Sequence, residues 1–114
     1  MIMQPANLPA RRIGIHCFTK GGLENAAIHA NRLGANCLQI FSSSPRMWRA
    51  SVPAPDDIAN LTAARRRFDL YPLAVHAGYL INLATLDPVI RQKSIAGFRG
   101  ELERAVAIGA EYLV

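Results

Sequence analysis

Residues 72–85 read "PLAVHAGYLINLAT", and the fold turns on how that stretch is understood. A short apolar run, Leu73 to Val75, stops at His76. Gly78, Tyr79 and Asn82 then open a loop that mixes polar and aromatic side chains. A run of this length bounded by turn-forming residues reads as a buried strand. A histidine at its carboxyl end has two readings. It is a core histidine satisfied by a packed turn, or a metal ligand at the mouth of an α/β fold.

Working outward, the same pattern recurs on both sides. "RIGIHC" at 12–17 and "NCLQIF" at 36–41 are further apolar runs, and "AEYLV" at 110–114 starts a fourth. Between the first two, after the turn "TKGG", Leu23, Ala26, Ala27, Ala30 and Leu33 fall at helical spacing. They predict a helix over 22–33, with Gly34 as its C-cap. A long polar loop, "SSSPRMWRASVPA", covers 42–54. A second helix is predicted over 56–68, because Pro55 suits a first turn and Asp56 and Asp57 favour the positive end of the dipole. Ile58, Leu61 and Phe68 form its apolar face. A third helix is expected over 88–108, with Ile95, Phe98, Leu102, Ala105 and Val106 recurring along one side of it and Gly109 ending it.

Strand and helix therefore alternate, with strands apolar enough to be covered on both faces, which is the pattern of a parallel α/β sheet. Three βα units and a fourth strand cannot close a barrel, and such a sheet keeps exposed parallel edges. A small flavodoxin-like domain would want a fifth strand with its helix. The expectation is one domain over 12–114 that is part of a larger α/β architecture, preceded by a flexible lead at 1–11.

Composition sets the outer bounds. Of 114 residues, 51% are hydrophobic and 18% charged, which is globular and not disordered in character. No run of about 18 apolar residues is present to span a bilayer as a helix. Two cysteines, Cys17 and Cys37, lie in apolar runs and read as reduced core or lining thiols of a cytoplasmic protein. His16 beside Cys17 is a poor chelate, since adjacent strand residues face opposite ways. The net charge of +5 is compatible with a polyanionic partner. The triplet Arg65, Arg66 and Arg67 has the simpler reading of a solvated helix face.

In parallel α/β proteins, functional groups gather at the carboxyl ends of the strands. Those positions hold His16 and Cys17, then "SSSPRMW", then His76 to Tyr79. No Asp or Glu is expected at a strand end, since Asp69 precedes its strand and Asp87 lies well along a loop. With these come "GGLENA" at 21–26, "QIF" followed by "PRMW", and "HAGYLINL" at 76–83. Taken in order, these pieces resemble the amino-terminal part of the endonuclease IV family. Its members are zinc-dependent apurinic/apyrimidinic endonucleases on a xylose isomerase-like (β/α)8 TIM barrel. The resemblance runs from about Ile13 to Val114. The family's opening "GAHVS" stands here as "GIHCF".

The resemblance implies a fold and a set of roles. The fold is the first three βα units and fourth strand of such a barrel. His76 matches a ligand of the family's three-zinc cluster, and the family's later ligands follow the fourth strand. Arg46 and Met47 match the loop that enters the minor groove of DNA at an abasic site. Ser44 and Tyr79 belong with them as DNA contacts, and Trp48 is expected to pack on the rim. His16 matches no zinc ligand and is expected to line the site, while His29 is expected on the surface. The implied partner is double-stranded DNA with abasic sites, cut on their 5′ side. The family is typically monomeric, and the open edges leave self-association available to the shorter chain. Two other readings stand beside this one: a sugar isomerase or epimerase barrel, and a non-catalytic partial barrel that acts by association. A small-sugar site has no need of a protruding Arg-Met-Trp loop.

Overall fold

The computed structural model describes residues 11–114, so the expected lead falls almost wholly outside the described residues. Seven elements follow one another: β1 Gly14–His16, α1 Leu23–Arg32, β2 Cys37–Phe41, α2 Pro55–Phe68, β3 Leu73–His76, α3 Pro88–Ala107 and β4 Tyr112–Leu113. The strands form one sheet in the order β1-β2-β3-β4, with every neighbouring pair parallel. Each predicted element is present, with ends moved by a residue or two.

Register sorts the strand residues into two faces. His16 pairs with Gln39, Gln39 with Ala74 and Phe41 with His76, all on one face. On the other, Leu38 pairs with Leu73 and Ile40 with Val75. That second face is the core. Leu38, Ile40, Leu73 and Val75 pack there with Ala26, Ala27 and Ala30 of α1, Leu61 and Ala64 of α2, and Ala105 beside Ile108. Each fully buried aliphatic side chain of this kind is worth about 1.5–3 kcal/mol over leaving it in water. The alanines of α1 hold little volume, so its backbone can lie close to the sheet.

Helix ends are satisfied by distant residues as well as local ones. Gly22 offers no side chain to cap α1, and Asp57 of α2 takes the Leu23 N–H at 2.8 Å in its place. Asp87 caps α3 by accepting from the Val89 and Ile90 N–H groups, which satisfies two of the otherwise unpaired donors of the first turn. Among the described residues, no helix is long and apolar enough to cross a membrane.

One sequence expectation is corrected, and one helix buries an unexpected face. Arg65 is no solvated member of its triplet: it donates to Leu70 O, Gly109 O and both oxygens of Glu111. On α3 the apolar side is not the buried one within this chain. Ser94, Glu101, Arg104 and Ala105 are its buried residues, while Ile95, Leu102 and Val106 are exposed. Polar groups can occupy that face because their partners are at hand: Ser94 accepts from the Asn82 N–H at 2.9 Å, and Glu101 and Arg104 form the group described next.

Candidate DNA-binding rim and metal ligand

His76 ends β3 on the open face of the sheet. Its Nδ1 lies 2.6 Å from the Ala77 carbonyl oxygen. A carbonyl only accepts, so Nδ1 carries the proton and the lone pair resides on Nε2. This is the arrangement that fixes a ligating imidazole, with one nitrogen anchored and the other free to coordinate.

Aromatic rings surround it. The Phe41 ring stands 5.2 Å from that of His76, and His16 lies 6.2 Å from it. Tyr79 closes the group at 5.3 Å from Phe41 and 6.3 Å from His76, edge-on to both. His16 accepts at Nδ1 from the Gln39 side-chain amide at 3.0 Å as the amide is placed. Its other nitrogen, Nε2, is buried without a partner. Desolvation, and then the nearby His76, push the His16 pKa below its ordinary value, which favours the neutral ring.

The loop after β2 lies against the loop after β3. Tyr79 N–H donates to Pro45 O at 2.7 Å, so the backbones of "PRMW" and "HAGY" are joined directly. A β-carbon on Gly78 would stand 3.2 Å from Pro45 O, a tight approach that a larger residue could make only if the Pro45 backbone shifted by a few tenths of an ångström. Within the first loop, Met47 N–H donates to Ser44 O. Ser44 and Arg46 are exposed, as are Met47 and Tyr79 at 62% and 61%. Trp48 is half-buried, close to where a Gly97 side chain would stand, with Lys93 Nζ 5.9 Å above its ring. His29 is exposed on α1.

Beneath both loops lies a buried group that the sequence reading missed. Ser42 Oγ–H donates to Glu101 Oε2 at 2.6 Å, and Arg104 Nε–H donates to Ser42 Oγ at 3.0 Å. Arg104 Nη2 pairs with Glu101 Oε2 at 3.2 Å. The Gly78 N–H donates to Glu101 Oε1 at 3.1 Å. The strand ends carry no Asp or Glu of their own among the described residues; α3 brings the Glu101 carboxylate to Ser42 and Gly78 from outside the sheet. Ser94, Glu101 and Arg104 recur at spacings of seven and three, which share one helix face, though spacing alone reads such a face as solvated.

The donor chemistry of His76 suits a metal. Among the described residues, no three His, Cys, Asp or Glu side chains come together as a metal cluster. His76 fits as a single ligand, and a complete site would require donors from outside this set.

Comparison with known proteins adds the lineage. The chain is 67% identical to the probable endonuclease 4 of Solibacter usitatus over 103 residues, which are 90% of this chain and 36% of that protein. It is 35% identical over 105 residues to the endonuclease 4 of one Thermus thermophilus strain, covering 90% of this chain and 38% of the relative. The crystal structure of endonuclease IV from another strain of Thermus thermophilus superposes with a TM-score of 0.83 at 34% identity. It covers 90% of this chain and 39% of that one. The chain thus spans little more than a third of the length of these relatives. A family model described as a xylose isomerase-like TIM barrel matches residues 28–114. The chain therefore belongs to the xylose isomerase-like TIM barrel family, within which it is kin to the amino-terminal part of endonuclease IV.

Proposed function

We propose that this chain carries the amino-terminal share of a zinc-dependent apurinic/apyrimidinic endonuclease of DNA repair, which hydrolyses the phosphodiester on the 5′ side of an abasic site. The observation that carries the reading is the meeting of His76, Tyr79 and the Arg46 loop at the carboxyl ends of β2 and β3, joined through the Tyr79–Pro45 hydrogen bond. His76 offers Nε2 to zinc while Ala77 holds its other nitrogen. Bound zinc, completed by donors outside this chain, would supply Lewis-acid stabilisation of phosphate charge. Arg46 meets backbone phosphate, and Met47 presses an apolar wedge into the minor groove at the gap left by the missing base. Ser44 adds a hydroxyl to the same loop, and Tyr79 presents its ring beside the metal ligand to a nucleotide turned out of the stack. Two free cysteines, Cys17 and Cys37, suit a cytoplasmic setting.

The test joins residues 12–114 to the remainder of the Thermus thermophilus relative and follows metal content and incision of an abasic duplex. The joined protein should bind zinc and cut in a chelator-sensitive way. Removing one ligand by His76→Ala should lower both together, by at least about 100-fold in activity. The isolated chain should hold no stoichiometric zinc and make no cut. Incision that persists undiminished in His76→Ala would remove the histidine from the site.

A further inference from the structure

We infer that Glu101 is a positioning residue for the DNA-contacting rim, acting through the backbone of Gly78 and the hydroxyl of Ser42. This deepens the DNA-binding reading and rests on it. The argument begins with location. Glu101 sits on α3, 59 residues from Ser42 and 23 from Gly78 in sequence, yet one carboxylate accepts from both. Ser42 is the first residue after β2 and opens the loop that carries Arg46. Gly78 directly precedes Tyr79, whose own N–H is bound to Pro45 of that loop. Glu101 thereby fixes both loops to one helix, and each loop also fixes the other.

Charge explains why a carboxylate suits this task. Its two oxygens accept along separate directions, so Oε1 takes the backbone donor while Oε2 takes Ser42 and Arg104. Arg104 supplies the countercharge and a second donor to Ser42, so the hydroxyl both donates and accepts and cannot rotate freely. Glu101 and Arg104 are 5% and 8% exposed at their side chains. Solvent therefore does not compete for these bonds, and the group is closed. Gly78 packs against this carboxylate, a β-carbon there standing 3.5 Å from Glu101 Oε1.

Two double variants separate positioning from plain stability. Glu101→Gln with Arg104→Met removes both charges and keeps an acceptor for Gly78. Glu101→Leu with Arg104→Met also removes both charges, but takes the acceptor away. Each is made in the 114-residue chain, where amide exchange at Gly78 and Tyr79 is read beside the unfolding midpoint. Affinity for a fluorescent abasic duplex is read for the same variants in the joined protein. The Gln variant should keep Gly78 protection and duplex affinity within about twofold of the parent, and the Leu variant should lose about tenfold in each, the worth of one hydrogen bond. Ser42→Ala, which alters no charge, should fall between them and covers the case in which the Leu variant fails to fold. Equal protection at Gly78 in the Gln and Leu variants, or an unchanged Gly78 in Ser42→Ala, would overturn the inference. A joined protein that ignores the abasic site, with Arg46→Ala no weaker, would instead overturn the DNA-binding reading. Amide exchange would still decide the role of Glu101.

Discussion

At the amino ends of β3 and β4, Arg65 and Glu111 meet in partial contact with water; at the carboxyl ends of β2 and β3, Arg104 and Glu101 meet inside the protein. The lower pair has side chains 13% and 26% exposed, against 8% and 5% in the upper pair. Both use an arginine and a glutamate, and both glutamates accept from a backbone N–H that opens a segment: Leu73 below and Gly78 above. What differs is the segment. Leu73 begins a core strand, so the lower pair holds the fold. Gly78 begins a loop of the candidate site, so the upper pair holds the rim. In parallel α/β proteins the amino-terminal end of the sheet serves stability and the carboxyl-terminal end serves function. Here one kind of ion pair is put to each use.

The most severe way to break this contrast is Arg104→Ala. It strands the Glu101 carboxylate in the interior with only Ser42 and Gly78 to offset its charge. Losing one partner of a buried pair costs about 3–5 kcal/mol, which urea unfolding of the chain should register as a large drop in midpoint. In the joined barrel, duplex affinity should fall as well. A loss no greater than that of the corresponding change below would mean that burial does not distinguish the two ends.

Glu111→Ala is that lower change. It leaves the Leu73 N–H without its acceptor and Arg65 without its carboxylate, at a cost of about 1–3 kcal/mol. Affinity of the joined barrel for an abasic duplex should not move. Arg46→Ala inverts the outcome: an exposed loop arginine contributes nothing measurable to folding, and its removal should weaken duplex binding by about 1–3 kcal/mol. If Glu111→Ala weakened binding as much as Arg46→Ala does, the division between a fold end and a rim end would be lost.

These contrasts also show which parts of the molecule could be read from sequence. β2, β3 and α1 were legible because their burial follows one-dimensional rules: a period of two for Leu38 and Ile40, helical spacing for Ala26, Ala27 and Ala30. The positions of the strand ends were legible as well, because they are fixed once the strands are. α3 is harder to read. Counting apolar residues marks Ile95, Leu102 and Val106 along one side, whereas within this chain burial falls on Ser94, Glu101 and Arg104. Apolar periodicity assumes that the buried face excludes charge, and a closed hydrogen-bonded group defeats that assumption. Nothing local to Ser42 or Gly78 announces a glutamate 59 or 23 residues away. Arg65 was misread for the same reason, as its partner Glu111 lies 46 residues on. Long-range polar pairing is what the sequence conceals, and the loop geometry at the candidate site depends on it.

The smallest expected effect tests the lower pair by its titration. Desolvation, the largest single influence on Glu111, raises the pKa of its carboxyl; the Leu73 N–H and the Arg65 guanidinium outweigh it and hold the group below its ordinary 4.5. A carboxyl whose pKa is depressed by folding contributes stability that is fully present above 4.5. That contribution fades as pH falls through the lower folded value, because the unfolded chain then binds the proton more readily. Glu111→Gln cannot ionise, so it lacks this contribution at every pH. Parent and variant should therefore differ most near neutrality, and the gap between their urea midpoints should close as pH drops below 4.5. Raising the salt concentration should narrow the gap near neutrality as well, because this pair is partly open to solvent and is screened. A gap that stayed constant from neutral pH into acid would show that Glu111 acts by shape alone. The lower end of the sheet would then owe nothing to its charge.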